Sequence, residues 1–599
     1  MHRFFLTFIL IALAGCSGSN TTSPPSGDLP TNTPIGQIQG AGAISPLENA
    51  AVTVTGIVSG DFQDNDADAS SNMGGFYLQS VRPDSDPSTS EGIFVFDGRT
   101  ARVDVAVGDE VVVEGTVNEH FGETQISAAS VTVTGSGSIQ AVDVNLPADL
   151  EQYEGMLIRL PQALTVAGLY ELERFGSVRM VAGGRPYSFT NQNAPSVAAY
   201  AAHRADLAAR TILLDDGRLE QNLMPIRYLP IRSGDSTTAL TGNLRYSRGS
   251  GDSGTEGYRL VPTIAPQFES RNPRPPVPDK AGSLRVVSFN ALNFFSSIDS
   301  GQKNCGPSAN RSCRGANSAE ELERQLSKLT TTLHLIDADV IGLMEIQNNR
   351  GIALQMIVDR LNAVSADGYD WVDTGLVGTD VITTAFVYKP ARVSVKGDPA
   401  VLDSTTDMRF NELKNRPAVA QAFTQNSNGA VFSVVVNHLK SKGSSCDDVG
   451  DPNRNDGQGN CNLTRTQAAA ALAAWAAKDP TRSGDSDYLV IGDFNAFVFE
   501  DPLTALKDAG LVNLLEASVG GNTWSSVFAG ESGALDHAFA NAALLPQIVA
   551  ATDWHINADE PTALDYNLEY DRDPALFDAT IPYRTSDHDP IIVDLTLVP

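Results

Sequence analysis

The segment 488–496, Y-L-V-I-G-D-F-N-A, constrains the fold most strongly, because an apolar strand in it ends abruptly in polar residues. Residues 489–491 are apolar and two of them are β-branched, which predicts a buried strand. Gly492 ends this strand, and Asp493 and Asn495 follow with one residue between them. Residues two apart in an extended segment point the same way. The sequence therefore predicts a carboxylate and an amide side by side at the end of a buried strand.

The same pattern recurs elsewhere in the C-terminal half of the chain, where predicted strands end in acids, amides or histidines. These ends are F-N at 289–290, M-E at 344–345, N-H-L-K-S-K at 437–442, D-H at 536–537 and S-D-H-D at 586–589. A polar turn is an adequate explanation of any one of them, but it does not explain them all together. Because strand ends cluster at one edge of a sheet, we expect these groups to converge in one cleft.

Oxygen ligands at these ends are suited to a hard divalent cation. Glu345, with either Asn290 or Asp587 as a second oxygen ligand, would hold Mg2+, which keeps several waters when it is bound. Mn2+ or Ca2+ are the other cations that such a set can accept. The residue types therefore predict metal-assisted hydrolysis of a phosphate ester.

The remaining side chains supply acid–base chemistry. Asp493 would take a proton from water, while His438 and His588 would donate to phosphate oxygens as charge develops on them. Asp536 would hold one imidazole in its tautomer and raise its basicity. Ser586 lacks the G-x-S-x-G setting of a serine nucleophile, and the sequence contains no P-loop.

The chain has 599 residues, more than one core usually serves, so three or more domains are expected. It is 42% hydrophobic and 19% charged, as soluble globular domains are. The formal net charge of -30 argues against broad binding of nucleic acid through a basic surface. A local basic groove remains compatible with it.

Residues 1–16 have the features of an export signal. Arg3 gives a positive start, residues 4–13 form an apolar run too short to span a bilayer, and L-A-G-C ending at Cys16 resembles the bacterial lipobox. We expect Cys16 to be lipidated; an ordinary cleaved signal peptide is the alternative. Residues 17–35, rich in Ser, Thr, Gly and Pro, predict a flexible tether. The protein is then an outer-membrane lipoprotein of the cell envelope or a secreted protein.

Export makes the remaining cysteines interpretable as an even set in an oxidising compartment. The local pairings Cys305–Cys313 and Cys446–Cys461 close short loops and are the ones expected. A zinc site is the rival interpretation, but the spacings lack a C-x-x-C knuckle.

Two β-rich regions precede the C-terminal half. Residues 36–145 contain five short strands separated by turn residues, which predict a small OB-like barrel. Four aromatic residues of this region have two interpretations: they stack on nucleic-acid bases, or they belong to the barrel core. They are Phe76, Tyr77, Phe94 and Phe96. Residues 146–270 predict a second β-rich domain, with one helix at 198–209 and no catalytic constellation.

An acidic loop interrupts the first β-rich region. Asp64, Asp66 and Asp68 have the spacing that opens a calcium loop. Ala69 stands where the sharp turn requires glycine, and Gly75 stands where a bidentate glutamate is expected. We interpret the segment as a solvated loop.

A proline-rich linker at 271–282 separates these regions from an alternating α/β pattern at 283–599. In this pattern Ser318 begins a helix with Glu321 in capping-box position, and a second helix at 464–477 is expected to be capped by Asn462 or Thr464. We expect two sheets packed between helices.

The five motifs F-N, M-E, N-H-L-K-S-K, G-D-F-N and S-D-H-D-P, in this order over residues 283–598, resemble the endonuclease/exonuclease/phosphatase superfamily. Segments 456–465 and 564–567 are similar to those of its bacterial extracellular nucleases, which also carry a β-rich region before the catalytic domain. The resemblance implies a DNase I-like four-layer α/β sandwich after the N-terminal all-β region.

The resemblance also implies roles for individual residues, which fall into metal, acid–base and phosphate groups. They are Asn290, Glu345 and Asp587 at the metal, Asp493 as base, Asn495 orienting phosphate, His588 on the scissile phosphate supported by Asp536, His438 as second histidine, and Arg416 on phosphate. Lys440, Lys442 and Arg465 are local basic groups expected to hold a nucleic-acid backbone.

These expectations converge on an exported, lipid-anchored, monomeric Mg2+-dependent nuclease that degrades extracellular DNA, with RNA left open. The alternative is a phosphodiesterase or phosphatase acting on lipid or inositol-phosphate head groups. A non-catalytic adhesin that kept the fold is a third hypothesis, and the intact set of acids and histidines argues against it.

Overall fold

The computed structural model describes residues 32–63, 72–98 and 103–599. The predicted signal peptide with Cys16, most of the predicted tether and the acidic loop at 64–68 lie outside the described residues. Among the helices of the described part, none is both long and apolar enough to cross a membrane.

The first unit is a closed five-stranded barrel with strand order β1-β2-β3-β5-β4. Its elements are α1 (Ile35–Gln39), β1 (Ala51–Phe62), β2 (Gly75–Gln79), β3 (Gly92–Phe96), β4 (Asp109–His120) and β5 (Glu123–Ser136). Val111, Val113 and Val117 of β4 face the barrel core, as the period of two in their spacing requires. The small closed barrel is present, while its assignment to the OB type stays a prediction.

Most of the aromatic residues considered for base stacking are core residues instead: Phe76, Tyr77 and Phe94 are each at most 3% exposed. The fourth, Phe96, is 37% exposed. Tyr77 donates its hydroxyl to Glu123, which pairs with Arg245 of the next unit at 2.7 Å. The stacking interpretation is therefore wrong for the three buried rings, because they pack inside the protein.

The second unit is a nine-stranded sheet with order β14-β11-β8-β9-β10-β13-β12-β7-β6. Its strands are β6 (Val142–Asp143), β7 (Leu157–Leu160), β8 (Leu164–Gly168), β9 (Val178–Ala182), β10 (Thr211–Leu214), β11 (Ser236–Thr237), β12 (Leu240–Ser247), β13 (Gly257–Pro262) and β14 (Phe268–Glu269). Its helices are α2 (Leu172–Phe175), α3 (Phe189–Gln192) and α4 (Val197–Ala209). The helix expected at 198–209 is thus confirmed.

The C-terminal unit alternates strands and helices. Its strands are β15 (Leu284–Phe294), β16 (Val340–Gln347), β17 (Asp370–Trp371), β18 (Ile382–Tyr388), β19 (Val393–Leu402), β20 (Arg416–Gln425), β21 (Val431–His438), β22 (Tyr488–Asp493), β23 (Val512–Asn513), β24 (Ser526–Phe528), β25 (Glu531–Gly533), β26 (Asp536–Ala540), β27 (Ile548–Asp553) and β28 (Ile591–Leu595). Its helices are α5 (Ala319–Ile336), α6 (Ile352–Asn362), α7 (Asn462–Ala476), α8 (Asp501–Asp508) and α9 (Leu514–Val519).

Two six-stranded sheets form the centre of this unit, with orders β17-β18-β16-β15-β28-β27 and β19-β20-β21-β22-β26-β23. Alternate residues of each strand face opposite layers. Val286 lies in the core between the sheets, and Val287 lies under α5 and α6. In the second sheet Ile491 faces the other sheet, and Val490 packs under α7 and α8. The expectation of two sheets packed between helices is confirmed.

Both expected disulfides form, Cys305–Cys313 and Cys446–Cys461. The Ser318 side chain caps α5 by accepting from the Glu321 amide, as expected. The cap of α7 differs from the expectation. Its first turn begins at Asn462 after Cys461, and the carboxylate of Asp451 accepts from the amides of residues 463 and 464.

One buried ion pair lies at the start of β15, within the first of these two sheets. Arg285 donates through Nε and Nη2 to both carboxylate oxygens of Asp594, at 2.8 and 3.0 Å. The same guanidinium also donates to the carbonyls of Pro278 and Ile336. The pair joins β15 to its antiparallel partner β28.

We expect Asp594→Ala to lower the free energy of unfolding of the C-terminal unit by about 3–5 kcal/mol, because it leaves a buried guanidinium without its counter-charge. Urea unfolding followed by circular dichroism measures this loss. Glu323→Ala is the matched control, since the Glu323–Arg360 pair on the same unit is largely exposed and screened. An equal effect of the two substitutions would contradict the assignment.

Candidate active site

Backbone register sets four functional side chains in one row across the second sheet. Arg416 of β20 pairs with His438 of β21, His438 with Asp493 of β22, and Asp493 with Asp536 of β26. Directly paired residues in neighbouring strands project from the same face of a sheet. The predicted convergence of these strand ends therefore follows from hydrogen bonding between strands.

Asp493 lies at the centre of the row and is 2% exposed. Its Oδ1 accepts from the amide of Asn495 at 2.8 Å, and its Oδ2 accepts from Asn290 Nδ2 at 3.4 Å. Burial raises the pKa of Asp493 to about 7, against the opposing effect of the His588 charge. A general base with a pKa near the working pH transfers protons most effectively. The environment thus suits the predicted role as base.

His588 and Asp536 form a carboxylate–imidazole pair. His588 Nδ1 lies 2.6 Å from Asp536 Oδ2. Burial lowers the pKa of His588, but the charges of Asp536 and Asp587 outweigh it and raise the pKa well above its usual value. The ring is therefore an imidazolium at neutral pH. One N–H is directed at Asp536, which leaves Nε2–H as a donor for a substrate oxygen.

Several residues that the sequence analysis missed hold this pair in place. Ser525 Oγ donates to Asp536 Oδ2 at 2.7 Å, and Asp589 Oδ1 accepts from the amides of residues 557 and 558. Asn191 of the second unit donates to the carbonyls of residues 521 and 523 and accepts from Ala534 N. These contacts join segments far apart in sequence, so no local motif marks Ser525 or Asn191.

His438 differs from His588 in charge. Its Nε2 lies 3.2 Å from Arg416 Nη1 and 3.3 Å from Asp493 Oδ2. Burial, with the positive charge of Arg416, lowers the pKa of His438 well below its usual value. Arg416 Nε also donates to Asp380. The two histidines are thus held in opposite protonation states, one neutral and one charged.

Left-handed backbone occurs at one predicted metal ligand and just after another. Glu345 has φ +62° at a bulge between β16 and β18. Leu292 and Asn293, which follow Asn290 in β15, have φ near +50°. Left-handed backbone at non-glycine residues is uncommon and concentrates at functional sites. The strain indicates that these strand ends are shaped for a ligand.

The donor chemistry fits a divalent cation. Glu345 Oε2 accepts from the amide of Asn293 at 2.9 Å, and Glu345 Oε1 lies 4.0 Å from His438 Nε2. Burial raises the pKa of Glu345, and the charge of Asp587 raises it further. Crowded carboxylates of this kind are relieved by a cation, and their oxygens are the ligands that Mg2+ prefers. Asn290 would contribute its amide oxygen to the same site.

A second grouping of potential ligands competes with this one. Asp493, Asp536 and His588 bring one ligand atom each within 4.8 Å of one another. However, Asp536 Oδ2 is already engaged by His588 Nδ1 at 2.6 Å and by the hydroxyl of Ser525 at 2.7 Å. We therefore assign this trio to acid–base chemistry rather than to metal binding.

Two of the predicted phosphate-binding residues are engaged by groups of the protein itself. Arg465 is fully buried, and its guanidinium donates to the carbonyls of Gln458, Lys440 and Asn460. Lys442 pairs with Glu500, and burial lowers its pKa to about 8. Both hold the loop after β21 in place. Both side chains are thus committed to protein partners, and the expectation that they bind a nucleic-acid backbone stays a prediction.

Lys440 lies in the loop that follows β21, and Asn495 forms a hydrogen bond with that loop. Lys440 Nζ donates to the Ser444 hydroxyl at 2.5 Å, and burial lowers the pKa of this lysine. Asn495 has φ +47° and donates through Nδ2 to the Leu439 carbonyl at 3.2 Å. Among the described residues Lys440 forms no ion pair, and its ammonium group contacts only serine hydroxyls.

We expect Asp536→Asn to lower the pKa of His588, because burial then acts against a weaker positive shift. At neutral pH the ring of the variant loses its proton more readily than that of the wild type. NMR titration of the histidine rings in metal-free protein measures the change.

Asp553→Asn is the matched control. Asp553 lies 3.5 Å from His555 Nε2, and its charge is one cause of the raised pKa of that histidine. The control should shift the pKa of His555 and leave that of His588 in place. An unchanged His588 titration in Asp536→Asn would contradict the pairing.

Comparison with known proteins gives the family. A model of the endonuclease/exonuclease/phosphatase family matches residues 287–588, half of the chain, and this range holds all the predicted catalytic and metal-binding side chains. No curated protein sequence matches the chain.

Solved structures similar to the C-terminal unit include the following three. The human nocturnin catalytic domain with bound sulfate is 14% identical, with a TM-score of 0.33, over 53% of this chain and 96% of that one. An endonuclease/exonuclease/phosphatase from Bacteroides vulgatus is 15% identical, with a TM-score of 0.34, over 53% and 99%. A Bacteroides thetaiotaomicron mannosyl-6-phosphatase is 16% identical, with a TM-score of 0.32, over 52% and 100%. On its family match, the chain belongs to the endonuclease/exonuclease/phosphatase family.

Proposed function

We propose that this protein is an exported, divalent-metal-dependent hydrolase that cleaves the phosphodiester bonds of nucleic acid, with DNA as its main substrate. The observation that carries the proposal is a single buried row in which a general base, Asp493, lies beside the charged His588–Asp536 pair. Export and lipidation of Cys16 belong to the same proposal and rest on the sequence of residues 1–16.

The side chains divide the reaction between them. Asp493 takes a proton from the attacking water, as its pKa near 7 permits. His588 donates Nε2–H to a phosphate oxygen as negative charge develops there, and Asp536 stabilises the imidazolium. Asn495, held by its contacts to Asp493 and Leu439, orients the phosphate.

A divalent cation completes this proposal. Glu345 and Asn290, with Asp587 near them, would hold it, and the cation would polarise the phosphate and offset its charge. Arg416 of β20 contacts Asp380 and His438. In this proposal its positive charge helps to bind the phosphate.

Catalysis is tested by Asp493→Asn and His588→Ala on plasmid DNA. Each should lower kcat by at least about 100-fold, since each removes a group that acts in the transition state. Asp508→Asn and His334→Ala are the matched controls, because both residues are exposed on the same unit. Cleavage at a near-wild-type rate by Asp493→Asn or His588→Ala would contradict the proposed mechanism.

A substrate panel decides between the two candidate functions. The wild-type protein should cleave plasmid DNA with a higher kcat/KM than it hydrolyses inositol phosphates or sphingomyelin vesicles. The opposite order would favour the phosphodiesterase or phosphatase alternative, which the family name also covers. Single-stranded RNA in the same panel shows whether the enzyme discriminates between DNA and RNA.

Metal binding is tested without reference to activity. We expect Mn2+ to raise the thermal unfolding midpoint of the wild-type protein, because a ligand that binds only the folded state stabilises it. Glu345→Gln should weaken Mn2+ binding by at least about tenfold in calorimetric titration, since it removes a charged oxygen ligand. Glu320→Gln, an exposed glutamate of α5, is the control and should bind as the wild type does.

A further inference from the structure

The basic loop, residues 303–314, lies close to the catalytic row in an otherwise acidic protein. The chain carries 72 acidic and 42 basic residues, yet residues 300–317 contain Lys303, Arg311 and Arg314 and no acidic side chain. All three side chains are exposed. They line one cavity of about 300 Å³, whose wall also includes Asp380. The net charge of the chain predicts repulsion of a polyanion, whereas this cavity concentrates positive charge.

The basic loop, residues 303–314, is anchored at its base. The Cys305–Cys313 disulfide is buried and packs with Phe295, Val381 and Ile382. Cys305 and Arg311 exchange backbone hydrogen bonds in both directions, at 2.8 and 3.1 Å. The loop is therefore held in one conformation, and ordering it costs little when a ligand binds.

Its anchor leads directly to the strand that carries Glu345. Gln347, two residues beyond Glu345 in β16, lies 3.2 Å from Cys305 Sγ through its Nε2. The Gln347 Oε1 accepts from the amides of residues 296 and 297. The same strand thus fixes the loop and the predicted metal ligand.

Two chains of contacts connect the cavity with the catalytic row. Arg314 Nη1 donates to Asn293 Oδ1 at 3.4 Å, and the amide of Asn293 donates to Glu345. On the opposite wall Asp380 accepts from Arg416, which contacts His438. The single acid of the cavity wall is therefore already paired, and one intervening residue separates the cavity wall from Glu345 on one side and from His438 on the other.

Lys303 and Arg311 have no side-chain hydrogen bond or ion pair to any described residue. Three other basic groups near the cleft are occupied: Lys442 by Glu500, Lys414 by Asp448, and Arg465 by backbone carbonyls. The loop therefore supplies the uncommitted positive charge that the sequence analysis assigned to Lys442 and Arg465.

We propose that the basic loop binds the phosphates of a nucleic-acid strand beside the scissile bond, through Lys303, Arg311 and Arg314. This inference rests on the proposed function and names the residues that select a polymer over a small phosphate ester. A head group with one phosphate fills only the catalytic centre. A strand presents further phosphates along its length, and these reach the loop.

The proposal has a quantitative consequence. Each phosphate neutralised on duplex DNA contributes about -0.9 to the slope of log K against log salt concentration. Lys303→Gln/Arg311→Gln should therefore make that slope shallower by about 1.8. Fluorescence anisotropy with a labelled duplex measures it, with every protein carrying Asp493→Asn so that the DNA is not cut.

The matched control is Lys478→Gln/Arg482→Gln, which removes the same charge. Both residues are exposed and precede β22, at the end of the strand opposite to Asp493. Its salt slope should match that of the unmodified protein. Lys303→Arg/Arg311→Lys keeps the charge and should also keep the slope.

Kinetics with intact Asp493 supply the second readout. The ratio of kcat/KM on DNA to that on bis(p-nitrophenyl) phosphate should fall about tenfold in Lys303→Gln/Arg311→Gln, since only the polymer reaches the loop. Equal salt slopes and equal ratios in the two glutamine double variants would overturn the inference. Failure of the wild-type protein to cut DNA or RNA would instead defeat the proposed function, whatever the variants do.

Discussion

The pairing of β20, β21, β22 and β26 is the interaction on which the site depends. It sets Arg416, His438, Asp493 and Asp536 side by side, and the sheet buries them together. Burial then separates their protonation states: His438 is kept neutral, the pKa of Asp493 is raised to about 7, and the His588 ring over Asp536 stays charged. Groups whose pKa values are pushed apart in this way can serve as acid and base in one reaction.

The second unit takes part in this arrangement. Asn191 bonds the segment that carries Ser525, and Arg185 and Arg232 pair with Asp559 and Glu560 below the loop that holds His588. Buried charged pairs contribute to position more than to stability, since desolvation offsets much of their attraction. The second unit thus contacts the segments that position the His588–Asp536 pair and helps to hold them in place.

Sequence patterns predicted the elements that local chemistry decides. The strands that carry Asn290, Glu345, His438 and Asp493, the cap of α5 at Ser318 and both disulfides were all predictable, since apolar runs, capping residues and short loops are recognised over a few residues. The cap of α7 was not, because Asp451 supplies it from outside the helix. Arg465 and Lys442 looked like free basic groups for the same reason, since their partners lie in distant loops.

The order of residues in the chain specifies which chemical groups lie near the strand ends, and hence the class of reaction that they can carry out. Their charge states follow from the folded packing, because protonation depends on burial and on neighbours from other segments of the chain. The packing also decided which basic residues remain free for a substrate. Lys303 and Arg311 are uncommitted because Asp380, the acid in their cavity wall, is paired with Arg416, whereas Lys442 is paired with Glu500.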